Sequence, residues 1–572
     1  MRPTSREASA ADGSQALAKL CDAYWNHERS ESPLSAVLAG EPCDDPVLFR
    51  EHPEDYARRD SAAAAFLAEL NGLDLQGLSL QERATCSLLR RELEGRRGLY
   101  AVASHLRPAL LPVGPDFNTV FYSNSVSIGD AQAAELHAER LARFPAFLSD
   151  ILAGLREGYA RGIRYPAMVL AAAAANTRRI AAAPAEASPW QAPFARSPLA
   201  GEPAVARCAA RALTLIDAEL RPALSAYADA LAGPLAVGAR ETISCADAPD
   251  GRAYYAALVR HYTTTEQSPE AIHELGLSEV ARLEAEIAEL AGDAGFAGDV
   301  DAYRRFLTTD PQFVAADAEA LRARAAVICK GVDARIPAFF GRIPRVTYGV
   351  ESVPAALSET LPPAYAQPAP SGGAASGTFW VNGLPDRCPT YLLPAMAVHE
   401  AWPGHLMHIG LMAELDHLPA FRRHGATKYT VCVEGWALYC EELGKELGVY
   451  RTPHDHYGRL EMEMWRACRL VVDTGIHRFD WPRQKAIDYL SARLTLSADA
   501  ISAEVDRYAA LPAQALAYQI GGLKVRELRR RAEDRLGSRF SHRAFHEAVM
   551  TAGAVTLPVL EDLVDGWLAE AA

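Results

Sequence analysis

The stretch HEAWPGHLMH, His399 to His408, sets three histidines and a glutamate around a Pro-Gly pair. A histidine followed by a glutamate on a helix suits hydrolytic metal chemistry, because the imidazole binds Zn²⁺ while the neighbouring carboxylate takes a proton from the attacking water. His399 and Glu400 supply that pair, with Glu400 as the expected general base. The common form of the motif places its second histidine four residues after the first, about 40° further round a helix of 3.6 residues per turn. His405 stands six residues on, about 240° away by the same geometry. Pro403 cannot join the helical ladder and Gly404 tolerates unusual backbone angles, so the pair is expected to bulge out and return His405 to the metal face.

A third ligand has to come from another element. EGWALYCEELGKELG begins at Glu434, 29 residues after His405, and carries Glu434 and Glu441 seven apart on one helical face. Glu434 is the expected ligand because Gly435 beside it leaves room for close approach; Glu441 and Glu442 are read as solvated or lying behind the ligands. His408, His417 and His424 are left out of the ligand set. EMEMWRACRLVVDTGIH then places Arg466, Arg469, Asp473 and His477 at spacings of three, four and four on an otherwise apolar helix, which is expected to face a polar cleft. In that cleft Asp473 would orient a ligand histidine and His477 would stabilise a developing oxyanion. In GTFWVN, Trp380 and Asn382 belong to a strand expected to lie at a sheet edge beside the metal, with Asn382 holding the main chain of a substrate.

The elements that must position these residues are mostly helices. LHAERLARFPAFLSDILAGLREGYARG repeats apolar residues at three- and four-residue spacing, and SPEAIHELGLSEVARLEAEIAELAG opens on a Ser-Pro start signal. Ala-rich AMVLAAAAANTRRIAAAPAEA favours helix by propensity. Breaks rich in Pro, Gly and Ser fall at about 183–203, 244–252 and 361–377. Strands are expected only within RIPRVTYGVESV (342–353) and GTFWVNGL (377–384). The fold class is therefore mainly α: two helical lobes, 1–245 and 246–572, around a deep cleft, with a small β-sheet next to the metal site and both lobes forming one continuous unit.

Composition narrows the function classes. Hydrophobic residues make up 49% of the 572 and charged residues 23%, the balance of a chain that buries a sizeable core. Fifty-eight Lys and Arg stand against 72 Asp and Glu, a net −14 with no basic run, which speaks against nucleic acid and anionic membranes as partners. The ten cysteines are scattered without a Cys-x-x-Cys pair and read as reduced, buried thiols. With no apolar leader and no run of roughly 20 apolar residues, the expected location is the cytoplasm.

Four stretches together resemble the DUF885 family, a group related to zinc metallopeptidases of the gluzincin type: HEAWPGH (399–405), EGWALY (434–439), RLVVDTGIH (469–477) and QALAYQIG (514–521). The likeness extends upstream through YYAALVRHYTTTEQSPEAIHELGL (254–277) and, more weakly, into the N-terminal half. It implies a mostly helical fold with a deep cleft, a His/His/Glu zinc site, Glu400 as general base, and Tyr518 or Tyr508 as a transition-state donor. Leu406 stands where the family often has a second histidine, and Gln519 where a lysine is common, a departure that bears on substrate preference.

The expected function is a zinc-dependent amide hydrolase, a metallopeptidase acting on short peptides or small amide conjugates, with one Zn²⁺ and Mn or Co as alternatives. A serine or cysteine nucleophile is disfavoured, since no Gly-x-Ser-x-Gly elbow and no Cys-His signature stands out. Two other readings stay open: a metal-dependent enzyme acting on a non-peptide biosynthetic intermediate, and a cleft-binding protein without turnover.

Overall fold

Ser268 and Pro269 open a helix as the sequence predicts: Ser268 Oγ accepts the Ala271 amide, Pro269 takes the first turn, and the helix Pro269–Ala291 follows. It packs along Pro453–Phe479, a helix of 27 residues that starts at a capping box between Thr452 and Asp455 and stops where Asp480 turns left-handed at φ 54°. In this computed structural model, which describes residues 5–571 apart from 354–357, 359–360 and 370–375, the fold is mainly α with one small sheet. The Ala-rich segment is the helix Ala167–Ala182. The run expected as one helix over 136–162 is two, Ala131–Leu141 and Phe144–Ala160. Pro145 explains the break, because it offers no amide to the preceding turn and fits only at the start of a helix.

The sheet has three strands in the order β1-β3-β2: β1 Tyr348–Ser352, β2 Ala364–Gln367 and β3 Gly377–Val381. β1 runs parallel to β3 and β2 antiparallel to it, with Ala366 opposite Phe379. Two corrections follow. β2 lies in the 361–377 segment read as a break, and β3, expected at an edge, is the central strand.

Two large apolar cores hold the helices together, and each draws from both sides of residue 245. Phe144, Leu152 and Leu170 share one with Met464, Val471 and Val505; Leu88 and Leu89 share the other with Trp436, Tyr439 and Leu563. The boundary at 245 therefore separates no independent packing unit. All ten cysteines are free, nine of them buried.

One close helix crossing borders the candidate functional region. Thr430–Leu443 meets Ala517–Leu536 at Gly435 and Gly521, where a Cβ on Gly435 would lie 2.5 Å from the Gly521 Cα and one on Gly521 would overlap the Val431 carbonyl oxygen. The backbone of each helix fills the space a side chain would need. Gly435→Ala is expected to cost about 1–3 kcal/mol of stability through forced separation of the helices, read as a lowered urea midpoint with unchanged slope.

Candidate metal centre

The helix Leu393–Glu400 is buried along its length except at Glu400, and it ends there. A second helix, His405–Ala413, starts five residues later, so Ala401–Gly404 form a turn between two helices where the sequence predicts a bulge within one. Gly404 is required for a steric reason, since a Cβ there would overlap the His399 carbonyl oxygen. Trp436 Nε1 clasps the turn by donating to the Pro403 carbonyl oxygen at 2.9 Å. The outcome matches the purpose assigned to the Pro-Gly pair: the His399 and His405 rings meet edge to face, centroids 4.8 Å apart.

Glu434, on the helix Thr430–Leu443, completes the group. Its Oε2 lies 3.4 Å from Nε2 of both histidines, and one ligand atom from each of the three falls within 4.8 Å of the others. Burial opposes charge on His399, but Glu434, Glu441 and Glu400 outweigh it and hold its pKa up at about 9. Burial also opposes charge on Glu434, yet the two histidines draw its pKa well below the carboxylate range. Glu434 Oε2 and His405 Nδ1 are buried without a hydrogen bond. Two imidazoles and a carboxylate converging with an unsatisfied oxygen between them suit a divalent cation such as zinc.

Behind His399, Glu441 Oε1 takes its Nδ1 at 2.8 Å, and Arg466 Nη2 stands 3.6 Å from the same oxygen. Glu441 is thus the residue that orients a ligand histidine, a role the sequence assigned to Asp473. Its seven-residue spacing from Glu434 was the signal for it. Glu441→Gln is expected to weaken zinc affinity roughly 10–100-fold and to leave the fold intact, measured by competition against a chelator.

Glu400, next in sequence to His399, meets the sheet, its Oε2 accepting the Ala366 amide of β2 at 2.9 Å. The edge strand beside the centre is therefore β2, which is too short and too poor in β-branched residues to be visible in the sequence. Trp380 Nε1 donates to Gln367 at 2.8 Å and its ring stacks on Tyr365.

Other expected roles are corrected. Asn382 is fully buried and clamps a loop, donating to the Ser358, Leu361 and Pro362 carbonyls while accepting the Leu384 amide, so nothing is left for a substrate. Asp473 accepts Tyr255 Oη at 2.6 Å and the Ala513 amide, and burial lifts its pKa to about 7. His477 is fully buried, with Nδ1 taken by the Cys245 amide and Nε2 by the Tyr508 carbonyl; burial lowers its pKa to about 4, and no oxyanion reaches it. Tyr508 is fully buried, its hydroxyl bonded to Glu504, Arg469 and Trp465. Gln519, fully buried, donates to Glu279 at 3.0 Å. The row from Arg466 to His477 is thus a buried polar ladder in which Asp473 and His477 are satisfied, Arg466 Nε and Arg469 Nη1 have no hydrogen-bond partner, and Arg466 stands beside Glu441. Tyr518 differs: its hydroxyl accepts Arg507 Nη2 at 3.2 Å, with Gln514 Nε2 at 3.5 Å, and keeps its own proton to donate.

The comparisons with known proteins agree with this architecture. A solved structure from Colwellia psychrerythraea, described as a "putative lipoprotein", is 25% identical with a TM-score of 0.88, covering 98% of this chain and 100% of its own. One from Shewanella oneidensis, described as a "putative lipoprotein of unknown function", is 15% identical with a TM-score of 0.71, covering 96% and 99%, and shows the fold alone. None of the curated proteins matches. The description of the Colwellia structure overturns the cytoplasmic expectation. Its basis was the lack of an apolar leader or spanning run in the sequence and the scattered cysteines, and a folded domain carried out of the cytoplasm shares those features of its core. Among the described residues no helix is long and apolar enough to cross a membrane. The family model described as "Bacterial protein of unknown function (DUF885)" matches residues 33–564, and the chain belongs to that family.

Proposed function

We propose that the protein is a zinc-dependent amide hydrolase, a metallopeptidase acting on short peptides or small peptide-like conjugates, of the gluzincin type. One observation carries this reading: His399, His405 and Glu434 converge within 4.8 Å while Glu400, next in sequence to His399 and near enough to help hold its pKa up, also meets the β2 edge. The two histidines and Glu434 would hold the cation, and a bound zinc ion polarises the scissile carbonyl and lowers the pKa of water.

Glu400 then has the general base's work, taking a proton from the attacking water and delivering it to the leaving amine. Its present partner fits that role. The Ala366 amide points outward from the edge strand, where an extended peptide main chain would pair with β2 and compete for it, releasing the carboxylate as substrate arrives. Tyr518, with its hydroxyl proton uncommitted, donates to the developing oxyanion. No covalent intermediate is needed.

The test is incubation of the zinc-loaded protein with a mixed library of di- to decapeptides, products being read by mass spectrometry. Cleavage of short peptides with folded proteins spared is the expected result. A protein that binds zinc and cleaves no peptide would sink the peptidase reading.

A further inference from the structure

Arg507 connects to the His399–His405–Glu434 cluster through a chain of contacts that ends at Tyr518. His399 is held by Glu441, and Glu441 is met by Arg466. One turn along the same helix stands Arg469, both guanidiniums flanking Trp465 at 5.4 and 4.5 Å from its ring. Arg469 also stacks on the Tyr518 ring at 4.5 Å. One turn beyond Tyr518, Gly521 touches Gly435, the neighbour of Glu434. A turn is about 5.4 Å of helix, so Tyr518 lies about one turn from the Gly521–Gly435 contact that joins its helix to the Glu434 helix. Arg507 is the next group outward, donating to the Tyr518 hydroxyl at 3.2 Å and to Gln514 Oε1 at 2.7 Å.

The charge around it is unbalanced. Arg469 and Arg507 share Glu504, whose Oε2 takes Arg469 Nη2 at 3.1 Å and whose Oε1 takes Arg507 Nη1 at 3.4 Å. Two cations thus face one carboxylate in a largely dry setting, an arrangement that favours a further anion. Arg469 is sandwiched between rings with its side chain 4% exposed, whereas the Arg507 side chain is 21% exposed. Arg507 is the cation a ligand can reach, and a guanidinium suits a carboxylate in geometry as well as charge.

We propose that Arg507 binds the free α-carboxylate at the C-terminal end of a short substrate, so that the enzyme releases one carboxy-terminal amino acid at a time. This rests on the hydrolase reading above. Contact assigns the position: Arg507 donates to the hydroxyl that meets the scissile carbonyl, so a group held by the guanidinium lies close to the scissile bond, about one extended residue of 3.3–3.6 Å away. Within a peptide of ordinary side chains, a carboxylate one residue past the scissile bond is the C-terminus. In the reaction the water oxygen joins the acyl carbon, the C–N bond breaks, and the proton carried by Glu400 ends on the released amine.

The experiment compares an N-acetylated tripeptide with its C-terminal amide. The zinc-loaded protein should free the terminal amino acid from the acid with kcat/KM about 100-fold above that for the amide, since the neutral amide cannot form the charge-assisted hydrogen bonds that a carboxylate makes with a guanidinium. Arg507→Met should shrink that ratio to within a few-fold, and Arg507→Lys should restore part of it; circular dichroism checks the fold. Equal cleavage of acid and amide by the parent protein, or an undiminished ratio in Arg507→Met, would overturn the proposal. Should neither peptide be cleaved, the hydrolase reading fails and binding decides the inference: zinc-loaded Glu400→Gln protein is titrated with an N-acetyl amino acid and its amide. Preference for the acid that vanishes on adding Arg507→Met upholds a carboxylate site, and equal affinity rejects it.

Discussion

Glu400→Gln is expected to keep a full equivalent of zinc while kcat falls roughly 10²–10⁴-fold, the range a general base contributes. The substitution changes one oxygen to an amide nitrogen, and the Gln carbonyl can still accept the Ala366 amide that Glu400 Oε2 takes at 2.9 Å. Nothing in the ligand set is touched, because the cluster consists of His399, His405 and Glu434. What disappears is the capacity to receive a proton from water and hand it to the amine. His399→Ala, His405→Ala or Glu434→Ala should instead release the metal. Metal content per folded protein, measured beside steady-state hydrolysis, separates the two classes. Unchanged turnover in Glu400→Gln would show that another group acts as base.

The meeting of His399, His405 and Glu434 was legible in the sequence because its parts lie on helices whose faces follow from spacing. His399 and Glu400 are adjacent, and Glu434 and Glu441 are seven apart on one face, so a single strip of helix carries both a ligand and the carboxylate that holds His399. The Pro-Gly pair was equally readable as a device for moving His405, although the chain ends one helix and starts another where spacing alone predicts a bulge. The role expected of Gly435 was half right. It does permit close approach, but the neighbour is the backbone at Gly521, which brings the Tyr518 helix to the ligand helix.

The misreadings share one physical cause. Periodicity shows which side chains share a face; it does not show what that face meets. Arg469, Asp473 and His477 form a polar row in an apolar helix, a pattern that a cleft and a buried hydrogen-bond ladder write identically. Their partners come from residues far away in the chain: Glu504 and Tyr508 for Arg469, Tyr255 for Asp473, and the Cys245 amide for His477. Asn382 failed the same way, because three carbonyls 20 to 24 residues earlier claim its amide. Arg507 escaped notice for the converse reason. It lies outside the four motif stretches, and only the folded chain sets it beside Tyr518.

Gly404→Ala is expected to cost at least about 100-fold in zinc affinity, at or beyond the upper end of what loss of a supporting group does to a metal site. The turn leaves no place for the added methyl. It would overlap the His399 carbonyl oxygen and lie 2.5 Å from that of Val398, both backbone atoms of the ligand helix and unable to swing aside. Relief must come from moving the start of the His405 helix, yet Trp436 holds the turn on its other side through the Pro403 carbonyl. His405 is the first residue of that helix, so any shift is transmitted to its ring without attenuation. Alanine also favours helix over glycine by about 1 kcal/mol, pulling the turn toward a continuous helix that would aim His405 elsewhere. Deleting Pro403 and Gly404 together gives HEAWH, whose four-residue spacing a continuous helix can use; it forfeits the Trp436 clasp but not the direction of the second histidine. Gly404→Ala should therefore bind zinc more weakly than the deletion, with helix content checked by circular dichroism in both. If Gly404→Ala bound zinc with an unchanged dissociation constant, the turn would be shown to relax without moving His405, and the steric account of the Pro-Gly pair would fall while the ligand set stood.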